Sequence, residues 1–477
     1  MKKTYVTTMP DHIGAFLKAS QCFSSLNINI TRVSYNKAVD LHTLFIDAEG
    51  TKDQLARADE ELAKIGYLQE DAQERTVMLI EFHLKDVPGS VTKVLELIER
   101  FRFNISFLSS QENGSGYQPF KMGLFVEDVE SINRFLQEAG KICPVRIIEY
   151  DKAEKVFDNT IFYRSFVDGL LKVMGGGEGA KERLLINANL AMQTLDERGL
   201  SPYRTFESIR SFAELLFRYK GDAFSPRITE HRLTENTALT LIEPPCGSNT
   251  AILRHGEDVL FLDTGYACYR DEMQTIFRRI IPGFDGMKKT VLITHADVDH
   301  CGLLPMFDAV ILSKKSAQCL KLEHMGEDGF REQNPLHKPY IHICKCLTSY
   351  PKADLGTLVT PWADAPLDAP PLSPIGNFHF GDLTFTVYEG KGGHLPGEVI
   401  LVDESNRIAF TGDVYINLGG MTEEQKQYNT YAPILMTSVD TDPALCAKER
   451  SALMGLLTPG AWRIFGAHGA PKEVIIP

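Results

Sequence analysis

The sequence lacks any run of roughly 18 or more apolar residues, the length that a membrane-spanning helix needs. The lysines near the N-terminus have no apolar stretch behind them, so we expect no signal peptide. Basic residues are not in excess, because Lys and Arg total 50 against 63 Asp and Glu, a net charge of −13. That balance argues against nucleic acid or an anionic membrane surface as the main partner.

Paired cysteines are also lacking, since the nine cysteines are scattered and odd in number. Such a pattern does not indicate a disulfide framework, and a reducing cytoplasm fits it best. At 477 residues the chain is too long for one hydrophobic core, and its length suggests about three domains. The composition, 43% hydrophobic and 24% charged, is typical of soluble globular protein.

An internal repeat with an offset of 75 residues occupies the N-terminal part of the chain. Residues 4–9 and 77–84 are each predicted to form a strand, followed by a tight turn, an amphipathic helix and another strand. A unit of this size used twice fits two βαββαβ modules. Each copy has an aspartate, a glycine three residues later and an asparagine 18 residues after the aspartate: Asp11, Gly14 and Asn29, and then Asp86, Gly89 and Asn104.

This pattern resembles the ACT domain, a regulatory module of many enzymes of amino-acid metabolism, over about residues 1–150. The resemblance implies ferredoxin-like modules at residues 1–72 and 73–150, paired side by side in a homodimer or within one chain, with an amino-acid effector at the pairing interface. It makes the six repeated residues candidate ligand contacts, because glycine exposes backbone N–H groups at a helix N-terminus, where a carboxylate is stabilised. A helix N-cap and a turn asparagine, without any ligand, explain the same residues. Ile13 stands where the second copy has Pro88, so the two copies can differ in their ability to bind a ligand.

Residues 151–227 are predicted to be a helical connector. Apolar spacing predicts helices at residues 162–174, 180–198 and 205–219. The glycines at 175–177 have no preceding strand and no Gly-Lys-Ser/Thr sequence, so they are not predicted to form a phosphate loop. From residue 228 onward, short strands followed by alternating helices and strands predict an αβ-layered domain that extends to residue 477.

The residues that indicate chemistry are histidines and aspartates in the C-terminal domain. Four of them follow an apolar strand within six residues, and three more stand beside glycine or after another apolar segment. Imidazole and carboxylate groups are ligands of Zn, Mn and Fe, and so many beside a buried strand would be unfavourable without a metal ion. The seven predicted metal ligands are His295, Asp297, Asp299, His300, His394, Asp413 and His468.

Together with Asp263, these segments resemble the motifs of the metallo-β-lactamase superfamily, in the same order, over about residues 230–477. The resemblance implies an αββα sandwich of two sheets with a dinuclear site at the sheet edge, supported by Asp263 from outside the ligand set. It implies that Asp413 bridges the two ions. The first ion would be bound by His295, Asp297 and His394, and the second by Asp299, His300 and His468. Further residues with a possible role are Tyr428, Tyr431 and Ser438 as substrate contacts, and the insertion 344–378 as a cover or interface.

The sequence departs from the family pattern His-x-His-x-Asp-His, because Asp297 stands where a histidine is usual. The carboxylates of Asp297, Asp299 and Asp413 would make the ligand set harder in the acid–base sense, and this would shift its metal preference from Zn toward Fe or Mn. The flavodiiron branch also has a carboxylate at this position and carries out redox chemistry. In contrast, His394-x-Pro396-Gly397 is similar to the hydrolase and glyoxalase II branch. A third alternative is that Asp297 cannot reach a metal ion and that the first metal site is weak or empty.

The sequence predicts a hydrolase in which two divalent ions, Zn or else Fe or Mn, activate a water that attacks an ester, thioester, lactone or phosphoester of a small molecule. Asp299 would orient this water in addition to binding metal, and Asp413 would bridge the ions. Two other hypotheses stay open: a non-haem di-iron redox or gas-sensing protein, and a sensor whose metal domain is structural. The substrate is not identified, because the family carries out many reactions on one fold.

Overall fold

The computed structural model describes the chain except for residues 10–12, 37–42, 66–76, 112–115, 126–128, 149–158, 176–178, 199–201, 367, 369 and 432–438. The chain divides into two compact units. The first comprises Met1–Asp168 and Ala188–Gln193, and the second comprises Gly169–Asn187 and Thr194–Pro477. Among the described residues, no helix is both long enough and apolar enough to cross a membrane.

The first unit contains one seven-stranded antiparallel sheet built from two successive halves. The strand order is β1-β3-β2-β5-β6-β4-β7, so that the second half has the complete strand order of a βαββαβ module. The elements of the first half are β1 (Lys2–Thr8), α1 (Ala15–Ser25), β2 (Asn29–Asn36), β3 (Thr43–Glu49) and α2 (Lys52–Lys64). Those of the second are β4 (Val77–Lys85), α3 (Thr92–Arg100), β5 (Ile105–Gln111), β6 (Tyr117–Phe125), α4 (Val129–Ala139) and β7 (Val145–Ile148).

The two halves join through the antiparallel pairing of β2 with β5. Ser34 lies opposite Ser109, which is the residue that the 75-residue offset predicts as its equivalent. The two halves are therefore related by an approximate two-fold axis through this pair. The β-bulges repeat at the same offset, between Ile30 and Arg32 and between Ile105 and Phe107. The pairing of two modules thus occurs within one chain.

The helices of this unit form because their apolar residues recur on one face, which packs on the sheet. In α3, Val94, Leu95 and Ile98 are buried in the same hydrophobic core as Leu44 and Ile46 of β3. Helix α2 begins with a capping box, in which Thr51 accepts from the backbone of Gln54 and the Gln54 side chain accepts in return. The predicted strands and helices of the two repeats are therefore present wherever the structure describes them.

The predicted connector contains the three expected helices, α5 (Asn159–Met174), α6 (Ala180–Glu197) and α7 (Pro202–Arg218). Its residues are divided between the units, since Ala188–Gln193 of α6 belong to the first and most of the remainder to the second. Within the first unit, the buried Arg32 guanidinium donates to the side chains of Asn189 and Gln193 and pairs with Asp47 at 2.7 Å. The buried charge of Arg32 is tolerated because its N–H groups donate to acceptors on Asn189, Gln193 and Asp47.

The second unit contains two sheets. The first, in the order β14-β13-β12-β11-β10-β9-β8, is parallel from β11 to β14 and antiparallel from β8 to β11. The second follows sequence order from β15 to β20 and is antiparallel except between β18 and β19. The strands of the first sheet are β8 (Arg227–Arg232), β9 (Thr237–Glu243), β10 (Thr250–His255), β11 (Asp258–Leu262), β12 (Thr290–Leu292), β13 (Ala309–Ile311) and β14 (Leu358–Val359). Those of the second are β15 (Leu372–Phe380), β16 (Leu383–Gly390), β17 (Val399–Asp403), β18 (Ile408–Phe410), β19 (Gly460–Phe465) and β20 (Lys472–Ile476).

The two sheets pack face to face, because alternate residues of their strands point into a shared core. Leu260 and Leu262 of β11 lie in the same buried cluster as Phe385 of β16. Phe261, between them, faces the opposite side and contacts Phe277 of α8 at 5.2 Å between ring centroids. The helices of this unit are α8 (Arg270–Ile280), α9 (Lys314–Met325), α10 (Lys338–Leu347), α11 (Glu423–Asn429) and α12 (Pro443–Leu456).

Helix α12 covers the outer face of the second sheet, where Leu453 packs with Ile400 and the fully buried Trp462. With α8 on the outer face of the first sheet, the layers run helix, sheet, sheet, helix. The unit is thus a mixed α/β sandwich of the αββα kind, as the sequence predicted.

Candidate metal centre

The predicted ligands lie on loops that follow the carboxyl ends of strands in both sheets. His295 to His300 follow β12, His394 follows β16, Asp413 follows β18 and His468 follows β19. Since β18 and β19 are parallel, the loops that bear Asp413 and His468 leave the sheet at the same edge. The sandwich therefore gathers ligands from four distant stretches of sequence.

Six of the seven predicted ligands form two clusters. The first contains His295, His394 and Asp413, and the second contains Asp299, His300 and His468. In each cluster, one ligand atom per residue lies within 4.8 Å of the corresponding atoms of the others. That spacing is what ligands around a common cation require, since bonds from nitrogen or oxygen to zinc are about 2.0–2.2 Å.

Asp413 lies between the two clusters. Its Oδ2 atom is 3.4 Å from Nε2 of His394 and 3.4 Å from Nε2 of His468. Its Oδ1 atom is 3.7 Å from Nε2 of His300. This is the position that a carboxylate bridging two ions would take.

The histidines of the clusters are oriented by groups behind them. Nδ1 of His394 lies 2.9 Å from Oδ1 of Asp440, and Nδ1 of His295 lies 3.1 Å from Oγ1 of Thr294. A carboxylate can only accept, so Nδ1 of His394 carries the hydrogen and Nε2 keeps its lone pair. The rings thereby present Nε2 to the centre, as metal-binding histidines do when a second group holds Nδ1.

Asp263 fixes the loop of the second cluster. Its carboxylate accepts from the backbone N–H of Thr294 at 2.9 Å and from the Thr294 hydroxyl at 2.8 Å. Its Oδ2 atom also lies 3.0 Å from Nδ1 of His300, a close ionic contact without hydrogen-bond alignment. The backbone of Asp263 has φ 52°, in the left-handed region, which aspartate tolerates better than most residues. These contacts agree with the supporting role that the sequence predicted.

Glu398 is a buried carboxylate that the sequence did not indicate. Its Oε1 atom accepts from the backbone N–H groups of Asp413 at 2.6 Å and Val414 at 3.2 Å. It therefore orients the loop that carries the bridging position. Burial raises the pKa of the Glu398 carboxyl to about 8, with a partial offset from His394 and a further rise from Asp413.

Two of the candidate ligands have the charge state that a cation requires, whereas nearby carboxylates outweigh burial and raise the pKa values of His300, His394 and His468. Burial, together with the neighbouring His300 and His394, holds the pKa of His295 well below its usual range, so this ring is neutral at neutral pH. Burial alone would raise the pKa of Asp413, but His468 and His300 lower it well below its usual range. A neutral imidazole and an ionised carboxylate are the forms that bind metal ions.

Asp297 is the predicted ligand that the structure does not bring into either cluster. Its Oδ2 atom accepts from Nε of Arg331 at 2.6 Å, and its Oδ1 atom accepts from the backbone N–H of Val298 at 2.8 Å. Arg331 also donates from Nη2 to Nε2 of His394 at 3.0 Å. Ligation by Asp297 stays a prediction. Because Arg331 already compensates the charge of Asp297, only two of the three carboxylates remain to favour Fe or Mn over Zn.

The clusters open into a cavity of about 70 Å³. Its wall includes the predicted contact Tyr428, whose hydroxyl oxygen lies 2.6 Å from that of Tyr266. From the insertion 344–378, Cys344 also lines it. Tyr431 is half-buried outside this lining, and Ser438 lies outside the described residues.

Sequence reasoning missed Arg331, Glu398 and Asp440. Each is a charged residue next to a loop, without a repeated spacing or a neighbouring motif. The only local feature near them is Pro396-Gly397 before Glu398. Burial of a charged side chain would have identified Arg331 and Glu398, and the contact with His394 would have identified Asp440, but both depend on the folded chain.

The N-terminal candidates meet in two clefts between the paired modules. Asn29 and Gly89 line one cleft, and Asn104 and Gly14 line the other. Each cleft thus takes its glycine from one module and its asparagine from the other. Both glycines have φ 82°, which only glycine adopts readily.

The first cleft also has a hydrogen bond across the module boundary. Nδ2 of Asn29 donates to Oδ1 of Asp86 at 3.1 Å. The equivalent aspartate of the second cleft, Asp11, lies outside the described residues. The cavity volumes are about 20 Å³ and about 10 Å³, so each cleft has room for no more than about one water.

Residues 244–419 match the family model of the metallo-beta-lactamase superfamily. The chain therefore contains a domain of this superfamily, whose proteins typically bind divalent metal ions. The match includes six of the seven predicted ligands, and His468 lies beyond it. The superfamily generally includes hydrolases, although some members are not hydrolytic. No curated protein sequence matches the chain.

Several solved structures are similar to parts of the chain. A beta-lactamase domain protein from Burkholderia ambifaria is 18% identical, with a TM-score of 0.32, over 51% of this chain and 71% of its own. A mutant flavo di-iron protein from Thermotoga maritima is 12% identical, with a TM-score of 0.33, over 52% and 58%. An aspartate kinase from Synechocystis is 12% identical, with a TM-score of 0.25, over 31% of this chain and 28% of its own. The chain thus spans less than a third of the kinase.

Proposed function

We propose that the chain is a metal-dependent hydrolase that acts on an ester, thioester, lactone or phosphoester of a small molecule. The observation that carries this proposal is a set of buried acceptors: Nε2 of His295, Nε2 of His300 and Oδ1 of Asp413 have no hydrogen-bond partner among the described residues. Buried polar atoms without partners are costly and therefore rare. A cation bound between them removes that cost, and the N and O donor set fits Zn, Mn or Fe.

The residues that would hold an ion are those of the two clusters. Asp299, His300 and His468 form the more exposed set, since the side chains of Asp299 and His468 are 13% and 12% exposed, whereas those of His295 and His394 are 0% and 2% exposed. A divalent ion held there would lower the pKa of a bound water toward neutrality and so supply a nucleophile. The proposal includes a second ion at His295, His394 and Asp413, as the superfamily resemblance implies.

The chain's own residues would position the reactants. Asp299 lies at the cavity wall, with Oδ2 3.4 Å from His468, so its carboxylate can orient an attacking water and accept its proton. The paired hydroxyls of Tyr266 and Tyr428 can donate to an oxygen of the substrate. The cavity of about 70 Å³ is large enough for the reacting group of a small molecule beside Asp299.

The test combines metal analysis with a panel of substrates. We expect the purified protein to carry Zn, Mn or Fe and to hydrolyse at least one of the four substrate classes. His300→Ala should lose both metal and activity, whereas His379→Ala, which removes an exposed histidine of β15, should keep both. Bound iron with visible absorption and no hydrolysis of any class would instead indicate the di-iron redox alternative.

We further infer that the paired N-terminal modules are ACT-like and bind an amino acid that regulates the hydrolase. The support is the arrangement of each cleft, in which a left-handed glycine of one module faces an asparagine of the other. A ligand carboxylate would accept from backbone N–H groups beside the glycine, and the side-chain amide or Asp86 would contact the α-amino group. Because the clefts are small, an amino acid must widen a cleft in order to bind. The narrow and the widened cleft are then two states with different affinities for the ligand, which regulation requires.

Calorimetric titration with the twenty amino acids tests this regulation. One of them should release or absorb heat and should raise the melting temperature as its concentration passes the dissociation constant. Asp86→Ala should weaken that binding, and Asp59→Ala, at an exposed site of α2, should not. If no amino acid produces heat or a thermal shift, the modules act as a scaffold for pairing, whether within the chain or in a homodimer.

A further inference from the structure

Arg331 is a buried cation beside the first cluster. It lies between α9 and α10, and only 6% of its surface is exposed. Its guanidinium donates from Nε to Asp297 at 2.6 Å, from Nη1 to the Val439 carbonyl at 2.7 Å and from Nη2 to His394 at 3.0 Å. Three acceptors around a planar group hold it in a single orientation.

Arg331 and a metal ion compete for the same lone pair of His394. Nδ1 of His394 carries its hydrogen, because it faces the carboxylate of Asp440 at 2.9 Å. Nε2 therefore has one lone pair, and it accepts from Nη2 of Arg331, since arginine has no acceptor. An ion bound at this atom requires the guanidinium to leave.

The two clusters differ in their contact with Arg331. Asp297 compensates the charge of the guanidinium, fixes it beside the first cluster and is itself held by the backbone of Val298. Nε2 of His295 in the first cluster and Nε2 of His300 in the second both lack a hydrogen-bond partner among the residues that the structure describes. The hydrogen bond from Arg331 to the lone pair of His394 is therefore what distinguishes the first cluster from the second.

We propose that Arg331 is the resident cation of the first cluster. The chain then binds one divalent ion tightly, at Asp299, His300 and His468 with Asp413, and takes up a second only when Arg331 is displaced. This inference rests on the proposed metal-dependent function and changes its stoichiometry. The guanidinium, in the wall of the same cavity as Asp299, supplies the positive charge that a second ion would otherwise bring to an anionic oxygen of the substrate.

Titration of the metal-free protein with Co²⁺, followed by absorption and electron paramagnetic resonance, measures this stoichiometry without an activity assay. We expect the unaltered chain to bind one equivalent tightly and to give the signal of an isolated ion. Arg331→Met keeps much of the side-chain volume without the charge, so it should bind two equivalents, with at least a tenfold gain in affinity for the second and a spin-coupled signal. Arg254→Met, which removes a more exposed arginine of β10, should still bind one.

Each other result contradicts the inference. Two tight, spin-coupled ions in the unaltered chain would show that Arg331 does not exclude metal, while leaving the hydrolase proposal intact. A single ion in Arg331→Met would show that something else limits the first cluster. Absence of Co²⁺ binding in both proteins would overturn the metal-dependent function as well. If Arg331→Met does not fold, the stoichiometry and spin signal of the unaltered chain still decide.

Discussion

At the scale of single residues, the two candidate metal clusters depend on side chains that lie outside them. Asp263 is the clearest case, because its carboxylate holds Thr294 through two hydrogen bonds and faces Nδ1 of His300 at 3.0 Å. Without that charge the imidazole of His300 would be a weaker ligand and less firmly oriented.

We therefore predict that Asp263→Asn lowers metal affinity by about 10- to 100-fold, the usual effect of removing such a partner. Asparagine adopts the left-handed backbone of this position at least as readily as aspartate, so the fold should persist. Competition with a chromophoric chelator measures the affinity. Asp403→Asn is the matched control, since Asp403 is an equally buried carboxylate that binds the backbone of Thr384 and Asn406. Equal affinities in the two variants would contradict the role of Asp263.

The sequence was sufficient to predict the residues of the two clusters but not the residues that contact them. Asp299, His300 and His394 stand in motifs whose order and spacing are local features of the chain. Arg331 and Asp440 make contacts with residues 34 to 108 positions away in sequence. Such contacts leave no periodic pattern, so only the folded chain shows that Asp297 pairs with Arg331.

At the scale of elements, close approach of backbones fixes the loop that follows β12. Gly302 donates to the carbonyl of Gly265 at 3.1 Å, and a β-carbon on Gly302 would lie 2.3 Å from that oxygen and 2.3 Å from the backbone nitrogen of Ala267. Backbone atoms on both sides cannot give way as a flexible side chain can. The position therefore admits no side chain without movement of the loop that bears His300.

Gly302→Ala should destabilise the protein by about 1–3 kcal/mol or more, the usual range for overpacking. Gly455→Ala is the control, because Gly455 lies in α12 with open space around its added β-carbon. Alanine should there stabilise the helix by about 0.5–1 kcal/mol. Differential scanning calorimetry compares the two melting temperatures, and a Gly302→Ala protein that melts like the unaltered chain would refute the steric argument.

The hairpin that joins β15 to β16 carries an acid-sensitive contact with the hairpin of β8 and β9. The hydroxyls of Thr237 and Thr234 donate to the carboxylate of Asp382 and lower its pKa to about 2. A carboxyl whose pKa is lower in the folded state than its ordinary value of 3.8 stabilises the fold above pH 3.8. That contribution is lost as the pH falls toward 2.

Asp382→Asn should accordingly lower the melting temperature at pH 7, and the difference from the unaltered chain should shrink as the pH is lowered from 5 to 3. Thermal unfolding at several pH values provides the measurement. Asp258→Asn, at an exposed position of β11, is the control and should behave as the unaltered chain at every pH. A difference that does not depend on pH would mean that the carboxylate charge is not responsible.

The helices were easier to predict than the strands of the C-terminal sandwich. Apolar spacing over 16 to 18 residues indicated α5 and α6 almost to their ends. In contrast, β12 and β18 have three residues each, so an apolar run indicated them and a period of two could not. Spacing also could not reveal that α6 contributes residues to both compact units, because that division depends on tertiary contacts.

At the scale of the whole molecule, the two clefts of the N-terminal sheet are equivalent in backbone but not in chemistry. Ser24 and Glu99 occupy matching positions, 75 residues apart. The Ser24 hydroxyl lies 3.0 Å from where a β-carbon on Gly89 would be, and a Glu99 carboxylate oxygen lies 2.8 Å from the corresponding point at Gly14. The carboxylate of a ligand would be repelled by that of Glu99 in one cleft, whereas in the other it would accept a hydrogen bond from the Ser24 hydroxyl.

If the modules bind an amino acid, the unaltered chain should therefore bind one per chain, and Glu99→Ser should bind two. Calorimetric stoichiometry is the measurement. Glu96→Ser, at another exposed position of α3, removes a charge from the same helix and should leave the value at one. Two ligands bound to the unaltered chain would contradict the distinction between the clefts.

The pairing of β2 with β5 inside a single polypeptide has an evolutionary consequence. In an assembly of two identical subunits every mutation appears on both sides of the symmetry axis, so the two clefts must change together. Tandem duplication in one gene frees each copy to mutate alone, and Ser24 and Glu99 are such a divergence. One cleft can then bind an exchangeable ligand, while the Glu99 side chain supplies a permanent carboxylate to the other. A homodimer could reach such an asymmetry only transiently, whereas here it is inherited with the chain.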